Sequence, residues 1–452
     1  MKQLKLYVSV IMIIGLISGC DLQKNSNPLD DQLYSAAEHA GADNLERDIT
    51  KDTNKVELGR MLFFDKLLSG NKDISCATCH HPTLNTGDAL SLSIGVGGSG
   101  LGKDRVMGHE RERIPRNATE IYNRGVNGWH TMFWDSRVPG TTETGFTSPA
   151  GSDLPDGLES NLAVQAMFPV TSRDEMRGAK GDRDVNGKKN ELAVIPDEDL
   201  PIIWNALMQR LLDIPEYVVL FNAAYPNLSK EELGFEHAAN AIAAFETKAF
   251  TLIKSPWDRY LRGDETALPA TAKRGALLFY GEAQCSTCHS GKLMTDQEHH
   301  NIGIPQLGPG KGDEAPLDLG RFRVTGDEDE RYAFRTPPLR NVELTGPWMH
   351  NGAYSDLEQA IKHHLDPVTA IEEYDLSQLE QSLQPTVLID DNIREDIINS
   401  LDPMVSHSVE LSDEEVNELM AFMRTLTDPD AAAGSLSKHI PNSVPSGLPV
   451  ED

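Results

Sequence analysis

The chain has 452 residues, 39% of them hydrophobic, which is enough for a sizeable core and, on length, for two domains. Its formal charge of −29 argues against nucleic acid as a partner and against electrostatic binding to an anionic membrane surface. Five cysteines are present, and their positions carry the most information.

In chain order, Lys2 and Lys5 precede an apolar run from Leu6 to Leu16 that closes on Ile17-Ser18-Gly19-Cys20. A charged start, a short apolar middle and small residues at the cut read as an export signal over residues 1–20. The pattern resembles a bacterial lipoprotein signal, so Cys20 is expected to become the lipidated N-terminus. Asp21 then points to retention at the inner membrane, facing the periplasm. The apolar run is short for a membrane span, so membrane contact is expected only through the lipid. Residues 21–52 are polar and without periodicity, and read as a flexible tether.

A helix is predicted from Asn54, with Asn54 and Glu57 as its cap and Leu58, Leu62 and Phe63 on one side. It leads into Cys76-Ala77-Thr78-Cys79-His80; a second copy of this spacing is Cys285-Ser286-Thr287-Cys288-His289. Cys-x-x-Cys-His is the attachment site of c-type haem: two thiols add to the haem vinyl groups, and the adjacent His is the proximal iron ligand. A zinc ribbon also uses two Cys pairs, but these pairs lie far apart and each ends in His, which favours two haems. With Cys20 in the signal, all five cysteines are assigned and none remains for a disulfide. Haem is attached to cytochromes c outside the cytoplasmic membrane, so signal and motifs agree.

Between the motifs, Leu200 to Tyr225 and Glu231 to Lys254 read as helices. Gly59-Arg60-Met61-Leu62-Phe63-Phe64 before the first motif matches Gly275-Ala276-Leu277-Leu278-Phe279-Tyr280 before the second, as if one helix-plus-haem unit were used twice. Gly95 to Gly102 and Asp296 to Asp318 must be loops, and loops this long are usually functional. Ser355 with Glu358, and Ser412 with Glu415, are capping boxes that open further helices. The segment 429–452, with several Pro, Ser and Gly, reads as a mobile tail. The predicted fold is mainly α with long loops: two cytochrome c-like haem domains, 53–262 and 263–428.

The segments Arg116-Asn117-Ala118-Thr119, Phe133-Trp134-Asp135, Gln165-Ala166 through Glu175-Met176, Phe334-Arg335-Thr336-Pro337-Pro338-Leu339-Arg340-Asn341 and Pro347-Trp348-Met349-His350-Asn351-Gly352 resemble, in order, the bacterial di-haem cytochrome c peroxidase and MauG family. The resemblance covers residues 54–427. It implies that the haem on His80 is peroxidatic and the haem on His289 transfers electrons. It further implies that Glu175 is the general acid-base, Gln165 orients peroxide, and Pro169 is the apolar residue over the open iron face. Trp134 would relay electrons between the haems, and Asn117, Thr345 and Pro347 would hold a calcium ion at the domain interface.

Two positions depart from that pattern. Val96, in Ser93-Ile94-Gly95-Val96-Gly97, stands where typical members carry a His that caps the peroxidatic iron, so the first haem is expected to be open when oxidised. His109, further along the loop, is the residue that could still swing in. The second haem's other ligand, Met in typical peroxidases and Tyr in MauG, falls on His364, with His363 as its neighbour and competitor. The resemblance implies reduction of hydrogen peroxide to water with electrons from a small periplasmic cytochrome c or cupredoxin. A MauG-like oxidation of a residue on a partner protein is the alternative, and a plain di-haem electron carrier the third reading. Family members are often homodimers, though no interface is legible in this chain.

Overall fold

The computed structural model describes residues 27–46 and 52–451; the signal segment 1–20, with Cys20, lies outside them. The protein is mainly helical, with five very short strands among the described residues. Two hydrophobic cores organise it, one around each Cys-x-x-Cys-His motif.

The first core is built on the helix Thr53–Phe64, whose cap is Asp52 rather than Asn54. Asp52 accepts from the amides of Asn54 and Lys55, whereas Glu57 instead pairs with Arg60 at 2.7 Å. This helix crosses the helix Phe235–Phe250 so closely that a Cβ on Gly59 would lie 1.8 Å from the carbonyl oxygen of Ala241. The predicted helix over 200–225 is two helices, Leu200–Leu212 and Pro215–Ala224, because Pro215 has no amide to continue the first and suits the opening of the second.

The second core repeats the arrangement. The helix Ala270–Tyr280 crosses the helix Asp413–Thr425, and a Cβ on Gly275 would lie 1.8 Å from the carbonyl oxygen of Glu418. The matched glycines of the internal repeat thus serve the same purpose, a backbone-to-backbone helix crossing that no larger residue permits. Ser412 and Glu415 form the expected capping box. Ser355 does not: Asp356 caps the helix Leu357–Leu365 by accepting from the Glu358 amide at 2.8 Å.

Three expectations are corrected. The tether 21–52 contains a helix, Pro28–His39, whose Leu33 and Ala37 are buried in the second core. Asp30 pairs with Lys273 at 2.5 Å, and Tyr34 stacks on Tyr260 at 4.7 Å. Two apolar residues spaced i, i+4 in a polar stretch carry too little periodicity to reveal this docking. The tail is not loose either. Ala431, Leu436 and Val444 are buried in the first core, and Ser446 Oγ donates to Asp65 at 2.7 Å, so the C-terminus returns to brace the N-terminal half. The boundary at 262 also moves, because Trp257 and Tyr260, on the helix Pro256–Leu261, pack in the second core.

Candidate active site

Each motif opens onto its own cavity, and the partner helix of each glycine crossing supplies a wall. Ile242 and Glu246 line the first cavity just beyond the Gly59 contact, and Leu419 and Met423 line the second just beyond the Gly275 contact. The motif histidines are set identically. His80 donates its Nδ1–H to the carbonyl of Thr86 at 3.2 Å, and His289 donates to the carbonyl of Met294 at 3.3 Å. That bond makes Nδ1 the donor, the tautomer in which Nε2 carries the lone pair a metal takes. Burial holds both imidazoles below their usual pKa, that of His289 at about 4 with His364 adding to the effect, so both are neutral as ligation requires. Burial also pushes the Cys76 and Cys285 thiols up to about 12, the opposite of the lowered thiol in a redox dithiol.

Across the first cavity from Cys76, Cys79 and His80 stand Gln165, Pro169 and Glu175. Gln165 ends the helix Asn161–Ala166, which Ser160 caps. Glu175 sits in the single π-helical turn Arg173–Arg177, a local geometry often found at functional sites. The flanking Arg173 and Arg177 both pair with Asp197, which leaves Glu175 to face the cavity. The turn is stitched to the loop that follows the first motif. Val96 donates its amide to the carbonyls of Asp174 and Glu175, and a Cβ on Gly95 would lie 1.8 Å from the Asp174 carbonyl oxygen. Val96 itself is 2% exposed and packed in the core, while the His109 side chain is 91% exposed beside Glu110. Among the described residues, His80 is the only imidazole lining this cavity.

In the second cavity His289 faces His364, with 6.3 Å between ring centroids. That is the spacing of two imidazoles sharing one metal atom, given metal–nitrogen bonds of about 2 Å. His364 bonds through Nδ1 to the carbonyl of Ala360 at 2.8 Å, leaving Nε2 uncommitted. His363 is occupied at both nitrogens, by the Tyr354 hydroxyl at 2.8 Å and the Ile302 carbonyl at 2.6 Å. Phe279, Leu339, Ile361 and Trp348 make the remaining walls largely apolar.

Trp134, Asn117, Thr119 and Arg335 line both cavities. Trp134 is held in a tight loop between the strands Thr131–Met132 and Val138–Thr141, and its indole N–H donates to the Asn117 carbonyl at 3.0 Å. The Asn117 side-chain amide donates to the Leu90 carbonyl at 2.8 Å. Thr345 and Pro347 share the second cavity with Asn117. Arg116, paired with both Asp135 and Asp318 at 2.6 Å, ties the two halves together beneath this junction.

A family model described as di-haem cytochrome c peroxidase matches residues 53–266. The methylamine utilization protein MauG of Methylorubrum extorquens is 33% identical over 316 residues, 69% of this chain and 68% of that protein. The chain belongs to the di-haem cytochrome c peroxidase family. Cytochrome c551 peroxidase of Pseudomonas aeruginosa is 32% identical over 308 residues, 68% of this chain and 70% of that one. Among solved structures, a MauG-like protein associated with microbial copper homeostasis superposes with a TM-score of 0.58 at 25% identity, over 86% of this chain and 94% of the other. The diheme peroxidase BthA of Burkholderia thailandensis shares the fold, with a TM-score of 0.55 at 21% identity, over 86% of this chain and 90% of its own.

As a di-haem peroxidase family member the chain is an oxidoreductase, and the family implies two haems c. The residues fit them. Each cavity joins a thiol pair, a neutral His with its lone pair on Nε2 and apolar walls. Sequence reasoning gave no role to most of the charged lining of the first cavity, which includes Arg124, Arg137, Arg335, Glu246 and Lys311. Arg335, in the quoted Phe334–Asn341 segment, donates only to the carbonyls of Phe133 and Thr336, and burial beside Arg124 lowers it to about 9. Glu246 is pushed up to about 8 by burial, and Lys311 comes from the other half of the chain. A Glu on a helix and a Lys in a glycine-rich loop carry no signal that separates them from solvated side chains.

Proposed function

We propose that the His80 cavity reduces hydrogen peroxide to water, with electrons entering through the His289 side from a small periplasmic cytochrome c or cupredoxin. The observation that carries this reading is the trio Gln165, Pro169 and Glu175 facing His80 with no second imidazole beside them. Haem iron bound at His80 supplies the electrons that split the O–O bond. The protein supplies position and protons. The Gln165 amide holds the peroxide by hydrogen bonding, and the Glu175 carboxylate takes the proton from one oxygen and returns it to the departing one. Pro169 leaves a small apolar gap above the reacting site and adds no competing donor. Trp134, in both walls, is the relay between the two centres. Two electrons and two protons per peroxide yield two waters.

In this reading His364 is the second ligand of the haem on His289, and Asn117, Thr345 and Pro347 hold calcium through oxygen atoms. Domains of roughly 53–255 and 256–428 carry one haem each, and Cys20 anchors the protein at the periplasmic face of the inner membrane. His364→Ala is expected to convert the second haem from low-spin to high-spin in the absorption spectrum. His363→Ala should keep the low-spin spectrum while lowering thermal stability, because it strands the Tyr354 hydroxyl and Ile302 carbonyl. A reversed pattern would hand the ligand role to His363.

The test of function is stopped-flow absorption of the fully oxidised, haem-loaded protein mixed with hydrogen peroxide and no reductant. A rapid shift of the high-spin Soret band is expected, because neither Val96 nor His109 is placed to cap the iron. A reaction that begins only after one haem is reduced would show that a capping ligand exists. No reaction in either state leaves an electron carrier. The 33% identity to MauG supports a second reading, peroxide-dependent oxidation of a residue on a partner protein, which modification of a Trp or Tyr on a co-purifying protein would reveal.

A further inference from the structure

The first cavity receives one residue from the far half of the chain. The loop between Leu307 and Asp318 folds back on itself: Lys311 donates its amide to the Leu317 carbonyl at 2.9 Å. Gly310, at φ 73°, lies so close to the backbone of Pro316 that a Cβ would come within 2.4 Å. The loop ends on Asp318, which Arg116 clamps through two nitrogens at 2.6 and 2.8 Å. A rigid base therefore presents Lys311 to the cavity that Gln165, Pro169 and Glu175 line.

Among the described residues no carboxylate lies within ion-pair distance of Lys311 Nζ. Asp135, on an adjoining loop, acts on Lys311 but is already paired with Arg116 and Arg137. Glu175 acts on Lys311 within the same cavity, and Arg116, Arg124, Arg137, Arg335 and Glu246 are its other charged lining residues. A half-buried cationic side chain in this cavity, not paired with a carboxylate, is placed to meet a ligand.

We propose that Lys311 is a second substrate-binding group of this cavity, donating a hydrogen bond from Nζ to an anionic or departing oxygen beside Glu175. The inference rests on the reading of the His80 cavity as the peroxide site. It divides the work between two side chains: Glu175 moves the proton, and Lys311 compensates the charge that appears as the O–O bond breaks. It also makes the site depend on both halves of the chain, since Arg116 and Asp318 fix the Lys311 loop to the N-terminal half. Burial, reinforced by Arg116 and Arg137, lowers Lys311 to about 8, so the cation is present at neutral pH and is lost as the pH rises through that value.

Azide, an anion across this whole range, probes the charge without turnover. The ferric holoprotein is titrated with azide between pH 6 and 9, following the Soret band. Lys311→Met is expected to weaken azide by about tenfold or more, the worth of a charge-assisted hydrogen bond in a sheltered site, and Lys311→Arg to stay within about threefold of wild type. Wild-type affinity should fall above about pH 8, and the Met variant should lack that step. Equal affinity and an equal pH profile in wild type and Lys311→Met overturn the proposal, including the case in which Lys311 pairs with a haem carboxylate. Should Lys311→Met fail to load haem, Lys311→Gln, which keeps a polar end without the charge, decides by the same comparison. Failure of wild type to bind azide at all sinks the open-site reading itself, and the role of Lys311 with it.

Discussion

Glu175→Gln is expected to lower kcat/KM for hydrogen peroxide by about 10²- to 10⁴-fold, the range lost when a positioned acid-base is removed. The substitution keeps shape and polarity and removes the charge and the proton acceptor. Its backbone role survives: Val96 still donates to the residue 175 carbonyl, and Ser172 still accepts the amide. The π-helical turn, held by Arg173 and Arg177 on Asp197, should therefore remain. Haem loading and melting temperature are expected to stay near wild type, which makes the variant a clean test. Turnover within about threefold of wild type would remove Glu175 from the proposed chemistry and leave Lys311 or a water chain to move the proton. A loss of turnover together with a loss of haem would mean only that the turn had collapsed.

Replacing Gly275 or Gly59 by Ala is expected to be among the most damaging single-methyl changes in the described residues. At each position the new Cβ would stand 1.8 Å from a backbone carbonyl oxygen of the crossing helix. A backbone atom cannot rotate away as a side chain can, so the helices must separate. Overpacking of this kind costs about 1–3 kcal/mol in adaptable cores and more where backbone must move, so about 3 kcal/mol or more is the expectation here. The damage should be local to one haem unit. Gly275→Ala displaces Leu419 and Met423 from the second cavity, and Gly59→Ala displaces Ile242 and Glu246 from the first. Thermal unfolding followed at each haem's own absorption bands would separate the two. A variant within about 0.5 kcal/mol of wild type, the usual range for innocuous surface changes, would show that the crossing is not this tight.

These glycines also mark how far sequence reasoning reached. The match of 59–64 with 275–280 was legible as a repeat, but its meaning was not. A glycine in a helix is ordinarily a weak point, and only the crossing partners, Ala241 and Glu418, explain why it is required. The motif histidines, both cysteine pairs and Trp134 were equally legible, and the structure sets them around two adjoining cavities. His364 over His363 was a choice between neighbours on one helix that no pattern decides. The two differ in their hydrogen bonds: His363 is bonded at both nitrogens, to the Tyr354 hydroxyl and the Ile302 carbonyl, and His364 at Nδ1, to the Ala360 carbonyl.

What the sequence determined by itself was whatever depends on short spacing: the two haem-attachment motifs, the repeated helices before them, and the caps at Ser412 and Glu415. Covalent attachment and helix periodicity operate within a few residues, so their marks stay together along the chain. Only the tertiary structure decided what crosses it. The helix Pro28–His39 docks on the second core, and the segment from 429 onward folds back on the first. Lys311 of one half reaches the cavity of the other, and the flanking arginines of Glu175 turn away to Asp197. Such contacts are settled by burial and charge compensation between remote segments, and those forces act on distance in space, which local residue order does not record.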